Sequence, residues 1–547
     1  MIIKLKRSGF WVALFLISYG SLAQSFTSSN LPIIVINTNF QTIVDEPKIT
    51  ADMGVIDNGP GQRNNLTDPF NNYSGKIGIE IRGSSSQMFP KKQYGIELRD
   101  ALGNGISAPL LGMPPEEDWV LFAPYNDKSL MRDVLAYKLA RDLGTYAPRT
   151  RYCEVVINNQ YQGVYVLIEK VKRDNNRVDI SKLEATENTG DDLTGGYIIK
   201  LDKQTGNDNA GWTSSYPPPG RNGTQVIYFI YDYPDASKIT SQQRNYIQQY
   251  MANFEGTLYG LSFTDPVQGY TKYIDVASFI DFFIVNEVSK NVDGYRLSTY
   301  LHKDKDSEGG KLNMGPVWDF NLGFGNANYC TQGNPEGWVT GFNSVCPQDF
   351  WLIPFWWSRL YQDKDYRSQL AARWTELRAD QYSTPKILTY IDSVYAVLNA
   401  ESAFRNFQKW PVLGQYVWPN YYIGATFQDE VNWLKTWVTN RLAWLDNNMP
   451  SVITGMESES QPSTVTVYPN PFEREMQVEY TMQQPGTFTL HLFDPIGKSI
   501  SVQSRYHQDP GTYHLALPTG HLQAGVYFYT AHPTPYTSVS GKIVKLN

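Results

Sequence analysis

Two aspartates, Asp293 and Asp319, stand at either end of a segment whose pattern could bring them together. Phosphoryl transfer needs one carboxylate that receives or orients the proton of the acceptor hydroxyl, and a second that holds magnesium. In that scheme Asp293 would handle the proton and Asp319 would bind the metal. Ser298, a polar residue that follows Asp293, stands where a ligand to a second metal ion is usual.

The elements around these aspartates explain how they could meet. Apolar residues at three- and four-residue steps predict a helix from Phe279, which ends in the polar loop that contains Asp293. Strands over 298–302 and 311–318 follow and predict a hairpin. A hairpin returns its ends to one place, so both aspartates could line one cleft. From spacing alone, a buried Trp-Asp-Phe packing motif beside a solvated aspartate is the simpler interpretation.

Several sequence blocks within residues 75–325 resemble, in order, the CotH kinase family, named after the spore-coat protein H kinases. They read GIEIRGSSSQMFPKKQYGIEL, DWVLFAPYNDKSLMRDVLAYKLA, GVYVLIEKVKRDNNRVDISKL, GGYIIKLDK, and NEVSKNVDGYRLSTYLHKD with GPVWDFNLGFGN. The resemblance implies an α+β fold of the atypical, two-lobed protein-kinase-like type, with ATP and Mg²⁺ as cofactors. It also implies transfer of the ATP γ-phosphate to a Ser or Thr hydroxyl of an extracytoplasmic or surface protein.

The same resemblance implies roles for the acidic segment. Asp293 would be the catalytic carboxylate, Asp319 the principal metal ligand, and Ser298 and Asn321 further metal ligands. Two of these positions differ from the common family pattern, because Ser298 replaces Asn and Asn321 replaces Asp. A hydroxyl or a neutral amide binds magnesium more weakly than a carboxylate does.

The turn in GIEIRGSSS is a candidate cover for phosphates. Arg82 and either Lys91 or Lys92 would then bind the nucleotide, whereas an ordinary hairpin with solvated lysines is the alternative. No P-loop motif occurs in the chain. A second hairpin pattern ends at Glu169, which would either bind the base or ribose of the nucleotide or pair with the Lys or Arg three and four positions later.

Length and composition predict two or three domains, since 547 residues are too many for one core. A formal net charge of −7 argues against a nucleic-acid partner. The chain starts with a basic, then apolar, then Ser-Leu-Ala pattern that is typical of a cleaved signal peptide, and no later stretch is apolar enough to predict a transmembrane span.

The last 85 or so residues alternate in the manner of a small all-β sandwich. The VYPNPF, LFDPIGKSI and AGVYFY segments and the final strand resemble the C-terminal sorting domain of type IX secretion. This implies the type IX secretion machinery as a partner, and export through the periplasm to the outer-membrane surface or the medium. From the residues alone, a carbohydrate-binding β-sandwich is the alternative.

The expected organisation has five parts in chain order. They are a signal peptide over 1–23, a strand-and-loop extension over 24–74 with an edge strand, the CotH kinase-like domain over 75–449, a Ser- and Glu-rich linker over 450–463, and the sorting domain over 464–547.

The chain has three cysteines. Cys330 and Cys346 could close a loop in an oxidising compartment, a closure worth about 3 kcal/mol in the chain-entropy model. We therefore predict this disulfide and expect Cys153 to be a small buried residue. Three cysteines and six scattered histidines show no zinc-ligand spacing.

Two other classes of function stay open from the sequence. The chain could be a catalytically inactive kinase-like surface module that binds a protein or polymer. Alternatively, the paired carboxylates could cleave glycosidic bonds, which requires an open sugar groove with no lysine-lined phosphate pocket.

Overall fold

The computed structural model describes residues 26–204, 210–451, 465–482, 486–495, 498–509, 511–534 and 537–546. The predicted signal peptide and nearly all of the predicted linker lie outside these residues. The described chain has an N-terminal β-barrel, a helical region, and antiparallel sheets at its C-terminal end. The predicted α+β class followed by a β domain is confirmed.

Seven strands form the closed barrel, in spatial order β6-β7-β5-β4-β3-β2-β1. In chain order they are β1 (Ile33–Asn37), β2 (Ile49–Ile56), β3 (Tyr73–Arg82), β4 (Gln93–Arg99), β5 (Asp118–Phe122), β6 (Thr150–Ile157) and β7 (Gln160–Glu169). Parallel pairing of β1 with β6 closes the barrel. The expectation of an edge strand near the N-terminus is therefore wrong, because β1 has a partner on both sides.

Alternation along the strands explains the barrel's interior. Ile77 and Ile79 of β3 face Ile96 and Leu98 of β4 in the same register and are almost fully buried. Cys153 of β6 is a free, fully buried cysteine in the same core, as expected. Apolar residues of period two on strands that share one interior are enough to specify this core.

The first helix lies between barrel strands β5 and β6, and the other α-helices follow the last barrel strand. The α-helices of the described chain are α1 (Arg132–Asp142), α2 (Ser241–Tyr259), α3 (Val276–Ser289), α4 (Phe342–Val345), α5 (Trp356–Leu360), α6 (Lys364–Ala379), α7 (Thr384–Asn399), α8 (Ser402–Lys409) and α9 (Phe427–Asn448). The predicted helix from Phe279 is α3.

Helix α1 starts later than its apolar pattern indicated. The sequence predicts a helix over 126–143, but Leu130 has a left-handed φ of 63°, so the chain turns before the helix starts. Asp127 accepts the backbone N–H of Arg132 at 2.8 Å, and it also forms a buried ion pair with the Arg132 guanidinium. The residues from 126 to 131 are thus a capped turn, and the helix proper occupies the second half of the predicted range.

A second, five-stranded sheet has the order β9-β10-β8-β11-β12. Its strands are β8 (Tyr197–Leu201), β9 (Gly211–Thr213), β10 (Tyr228–Tyr233), β11 (Thr299–Lys303) and β12 (Leu312–Met314). Strands β11 and β12 are the predicted hairpin. The GGYIIKLDK strand, β8, pairs with β11 and is not part of the barrel.

The hairpin's second strand is shorter than predicted. Strand β12 ends at Met314, two residues before Pro316, which has no backbone N–H to give to a sheet. Residues 315–318 then run on without regular structure toward Asp319.

One large buried cluster joins the outer face of the barrel to α1, the second sheet and the following helices. Helix α3 is buried along most of its length, which its apolar sequence requires. Because α1 and α3 contact each other in this core, the residues at their ends have fixed relative positions.

The C-terminal part consists of two antiparallel sheets around one core. The strands are β13 (Val465–Tyr468), β14 (Glu475–Met482), β15 (Gly486–Phe493), β16 (Ser499–His507), β17 (Gly511–Pro518), β18 (Gly525–Thr534) and β19 (Thr537–Lys545). The orders are β13-β14-β17 and β16-β15-β18-β19. Residues of both sheets, such as Val478 and Leu490, bury against one another, as in the predicted sandwich.

The predicted disulfide is present. Cys330 and Cys346 are bonded, with their Cα atoms 5.6 Å apart. Lys290, at the end of α3, reaches into the enclosed loop and donates to the carbonyl oxygens of Thr331, Asn334 and Glu336. The loop is therefore fixed to the same helix end that leads to Asp293.

Glu255 of α2 provides a test of this core. It is buried and accepts hydrogen bonds from Ser214 Oγ at 2.7 Å and Trp356 Nε1 at 3.0 Å. Burial raises the pKa of this carboxyl to about 7. The folded state therefore holds the proton more tightly than the unfolded state, and stability falls as pH rises from about 4.5 to about 7. Glu255→Gln removes that loss.

We expect Glu255→Gln to gain stability relative to wild type between pH 5 and pH 8, by on the order of 2 kcal/mol. Urea unfolding followed by tryptophan fluorescence measures this, and residues 464–547 contain no Trp, so the signal comes from the rest of the chain. Glu184→Gln, at an exposed position, is the control. An equal difference between Glu255→Gln and wild type at both pH values would contradict this account.

Candidate active site

A polar cavity of about 240 Å³ lies where the turn after β3, helix α1 and the ends of the hairpin meet. Both predicted carboxylates, Asp293 and Asp319, line it together with Arg82, Ser298 and Asn321. The hairpin therefore brings its two flanking aspartates into one cleft, as predicted. A cavity of about 290 Å³ on another side of α1 has mainly apolar walls and contains none of these residues.

Asp293 is positioned by the end of α3. The helix stops at Lys290, whose left-handed φ of 45° turns the chain into the loop. Arg296 Nη2 then donates to Asp293 Oδ1 at 2.7 Å, and its Nη1 donates to Asp349 and to the carbonyl oxygen of Trp351. Arg296 is itself almost fully buried, so the orientation of the Asp293 carboxylate is set from behind.

Asp319 occupies a left-handed backbone conformation with a φ of 64°. Such a conformation is costly for a non-glycine residue and persists only where neighbours hold it. Here the hydroxyl of Tyr137 accepts the Asp319 N–H at 3.1 Å, and Asn291 donates to the Asp319 carbonyl oxygen at 3.1 Å. Asn291 lies two residues before Asp293, so the two acidic loops are tied directly together.

Charged groups of both signs surround the Asp319 carboxylate and shift its pKa in opposite directions. Its carboxylate reaches solvent within the cleft, yet the cleft walls surround it. This enclosure raises the pKa of Asp319 to about 6, and the negative charges of Asp293 and Asp202 add to the effect. Arg82 and Lys203 act in the other direction. Lowering the pH, or losing a nearby cation, would therefore protonate this carboxyl.

A third carboxylate, which the sequence did not indicate, belongs to the same wall. Asp133, in the first turn of α1, lines the cavity with only 3% of its surface exposed. Its Oδ1 accepts the backbone N–H of Phe320 at 2.7 Å. Burial raises the pKa of Asp133 well above its usual range, and the negative charge of Asp319 raises it further. In the sequence, Asp133 is indistinguishable from an ordinary acidic residue at a helix start.

Basic residues also line the cavity. Arg82, Lys200 and Lys203 line the cavity, and Asp202 lies among them. Lys200 pairs with Asp232 at 3.3 Å, outside the cavity lining, and its ammonium also lies 5.7 Å from the ring centre of Tyr300. Lys200 and Asp202, at the end of the GGYIIKLDK segment, therefore both border the cleft.

Lys91 and Lys92 do not line the cavity. Lys91 is 1% exposed and donates to the carbonyl oxygen of Val164 at 2.5 Å and to Asn406 Oδ1 at 2.8 Å. Burial lowers the pKa of Lys91 to about 7. Lys92 donates to the carbonyl oxygen of Gln87 at 2.6 Å. The structure therefore places both amines in local structural roles, one of them between the barrel and α8.

Glu169 is also fully engaged away from the cavity. It is completely buried at the end of β7 and forms ion pairs with Arg149 at 2.8 Å and Arg177 at 3.2 Å. The predicted pairing with the Lys or Arg a few positions later does not occur. Lys172 binds Glu116 and Asp118 instead.

The carboxylates of the cleft are suited to a magnesium ion that also binds phosphate. Magnesium in nucleotide sites is commonly held by one or two carboxylates together with phosphate oxygens. Among the described residues, three carboxylates approach one another within 4.8 Å only at Glu116, Glu117 and Asp118, where Lys172 already binds them. The cleft instead offers separate carboxylates together with cations, and one buried oxygen of Asp133 has no hydrogen-bond partner. This donor set fits a hard cation shared with phosphate.

The fold and cleft define a mixed α/β protein with an acid-and-base-lined site, and comparison with known families gives its class. The family described as CotH kinase protein matches residues 79–445, and the chain belongs to that family. This membership implies ATP as the phosphate donor and possible phosphotransferase activity. A search of curated proteins found no matching relative.

Residues 466–545 match the family described as secretion system C-terminal sorting domain. The chain is therefore addressed to the type IX secretion machinery and to a secreted or cell-surface location. In the described part of the chain, no helix is both long and apolar enough to cross a membrane.

Arg82 lines the cavity and Lys91 does not, so we expect substitution by Met to weaken MgATP binding at the first position only. Arg82→Met removes a cation from the cavity wall and should weaken MgATP binding about tenfold, because charge-assisted contacts to phosphate are the strong ones. Lys91→Met changes a buried amine outside the cavity and should leave that affinity within about twofold. Calorimetric titration of both folded variants measures this. The reverse order would return the phosphate role to Lys91.

Proposed function

We propose that this protein is a secreted atypical kinase that transfers the ATP γ-phosphate to Ser or Thr hydroxyls of an extracytoplasmic or surface protein. The observation that carries the proposal is that Asp293 and Asp319, from adjacent loops, line one polar cavity together with Arg82, Lys200 and Lys203. Two carboxylates and several cations around one small space are the parts that positioning and charge stabilisation of a phosphoryl group require.

In this proposal Asp293 is the catalytic carboxylate. Arg296 occupies Oδ1, and no described residue donates a hydrogen bond to Oδ2. Oδ2 is therefore the atom that would orient the acceptor hydroxyl and receive its proton. Because Arg296 also binds Asp349 and Trp351, the carboxylate is held without having to reorganise during the reaction.

Asp319 would be the principal magnesium ligand, with Ser298 and Asn321 as additional ligands. When bound, the metal would offset the charge of the β- and γ-phosphates. Arg82, Lys200 and Lys203 would bind phosphate oxygens. We assign no nucleotide contact to Lys91, Lys92 or Glu169, because their polar atoms are engaged outside the cavity.

The architecture supports a two-lobed, kinase-like arrangement as part of the same proposal. The barrel with α1 would form the smaller lobe, and the second sheet with α2–α9 the larger one. Since β1 and β2 complete the barrel, we propose that the functional unit includes the extension over 24–74 as well as residues 75–449. The sandwich over 464–547 would serve export.

The basic residues of the cavity also separate the proposal from the glycan-cleaving alternative. That reaction uses two carboxyl groups across an open sugar groove, with no need for cations opposite them. Here Arg82, Lys200 and Lys203 line the same cavity as the carboxylates. An active kinase transfers phosphate and an inactive kinase-like module does not. Phosphate transfer and nucleotide binding therefore distinguish the two.

Asp293→Asn should lower phosphate transfer by about 10²- to 10⁴-fold, because an amide cannot accept the hydroxyl proton. Asn keeps an oxygen for Arg296, so the fold and MgATP affinity should stay near wild type. Transfer of labelled γ-phosphate to surface proteins, or to the chain itself, measures this. Unchanged transfer would reject Asp293 as the base.

Asp319→Ala should abolish the magnesium-dependent part of nucleotide binding, since it removes the main anionic metal ligand. Calorimetry with ATP, with and without magnesium, distinguishes this part. Asp52→Ala, an exposed acid on the barrel, is the matched control and should bind as wild type does. Full magnesium-dependent affinity in Asp319→Ala would reject the metal role, and a folded wild type without nucleotide binding would favour the inactive module.

A further inference from the structure

We infer that Asp133 is a second carboxylate ligand, besides Asp319, of the metal that the cleft binds. This inference rests on the proposed function, because it concerns the metal site of the same cleft. It adds a residue from α1, far earlier in the chain than the Asp293–Asp319 segment, to the metal ligands of the cleft. Helix α1 would then bind the metal directly, in addition to accepting the backbone N–H groups of Asp319 and Phe320.

The first observation is an oxygen with nothing to bind. Asp133 is 3% exposed, and its Oδ1 accepts the Phe320 N–H, whereas Oδ2 has no hydrogen-bond partner; the Tyr137 hydroxyl is a polar neighbour of this carboxyl. Among the described residues, this is the only buried carboxylate oxygen without a partner. A buried carboxylate oxygen that is left unpaired costs more than a neutral polar atom does, so its retention indicates a partner that binds there.

Other buried acids in the chain show how this protein normally treats such groups. Glu169 has two arginine partners, and Glu287 binds Arg441 together with two backbone N–H groups. Asp127, only six residues before Asp133, is paired with Arg132. Asp133 alone among these lines the cavity, and it alone lacks a cation.

The second observation is where the oxygen lies. Asp133 lines the same cavity as Asp319, and the Phe320 N–H that it binds belongs to the residue after Asp319. Hard cations such as Mg²⁺ and Mn²⁺ prefer carboxylate oxygens. Ser298 and Asn321 are neutral where the proposal needs metal ligands, and Asp133 supplies the negative charge that they do not.

Asp133→Asn tests the inference without removing the structural hydrogen bond. The Asn Oδ1 can still accept the Phe320 N–H, and the side chain keeps nearly the same volume. Only the charge and the second oxygen are lost. Asp133→Ser, which can also accept that N–H, is the second variant if Asn is not tolerated. Asp281→Asn is the control, because Asp281 is buried but paired with Arg373 outside the polar cavity.

The readout is binding of Mn²⁺ alone to the full mature chain, followed by electron paramagnetic resonance. We expect the affinity of Asp133→Asn for Mn²⁺ to be at least about tenfold weaker than that of wild type. In EDTA, the thermal midpoint of Asp133→Asn should be higher than that of wild type, since an unpaired buried charge is gone. Added Mn²⁺ should raise the wild-type midpoint more than the variant's.

The control should behave differently in both respects. Asp281→Asn should lose stability equally with and without Mn²⁺ and should keep wild-type Mn²⁺ affinity. Equal Mn²⁺ affinity in wild type and Asp133→Asn overturns the ligand role of Asp133 and leaves the proposed function standing. A folded wild type that binds no Mn²⁺ overturns both.

Discussion

The acidic cleft depends on the backbone hydrogen bonds that helix α1 accepts from the residues after the hairpin. Tyr137 and Asp133 are one helical turn apart, so they lie on the same face of α1 and accept the N–H groups of Asp319 and Phe320. These two contacts, with Asn291, hold Asp319 in a left-handed conformation that its own side chain does not favour. Without α1, the hairpin would still form, but its second aspartate would have no fixed direction.

The charged residues that line the cleft differ from those that are buried elsewhere in the protein. Lys91, Glu169 and Glu287 are buried, and each is satisfied by several polar atoms, which uses up their capacity to bind a ligand. The charged residues that line the cavity are of both signs: Arg82, Lys200 and Lys203 with Asp133, Asp202, Asp293 and Asp319. A phosphate and its metal would bind both sets of charges at once, which supports the proposed kinase chemistry over the cleavage of sugars.

Local pattern predicted much of this fold. The alternation that gave the 160–169 strand, the helix from Phe279 and the C-terminal sandwich is visible within a few residues, and the structure has all three. The prediction failed where partners are distant. Nothing near LPIIVINT shows that it pairs with β6, and nothing near GGYIIKLDK shows that β11 is its neighbour.

The candidate site divides in the same way. Asp293, Asp319, Ser298 and Asn321 lie close together in the sequence, and a hairpin is enough to predict that they meet. Arg82 was predicted from a resemblance and does line the cavity. The choice between Lys91 and Lys92 failed because both amines bind protein oxygen atoms outside the cavity, and most of those partners lie far away in the sequence. Asp133 could not be found, since its importance comes from a contact with Phe320, far along the chain.

The closed barrel has a consequence for when this protein can fold. The barrel closes where strand β1 pairs with β6, with Ile33 opposite Glu154. Strand β1 therefore lacks one of its two neighbours until β6 has been synthesised. Pairings between such distant segments form slowly, because the loop must close before any contact rewards it. A chain with this topology therefore closes its barrel late, after the residues between its first and sixth strands have been made. The Cys330–Cys346 bond joins residues that come later still, and bonds of this kind persist in oxidising compartments.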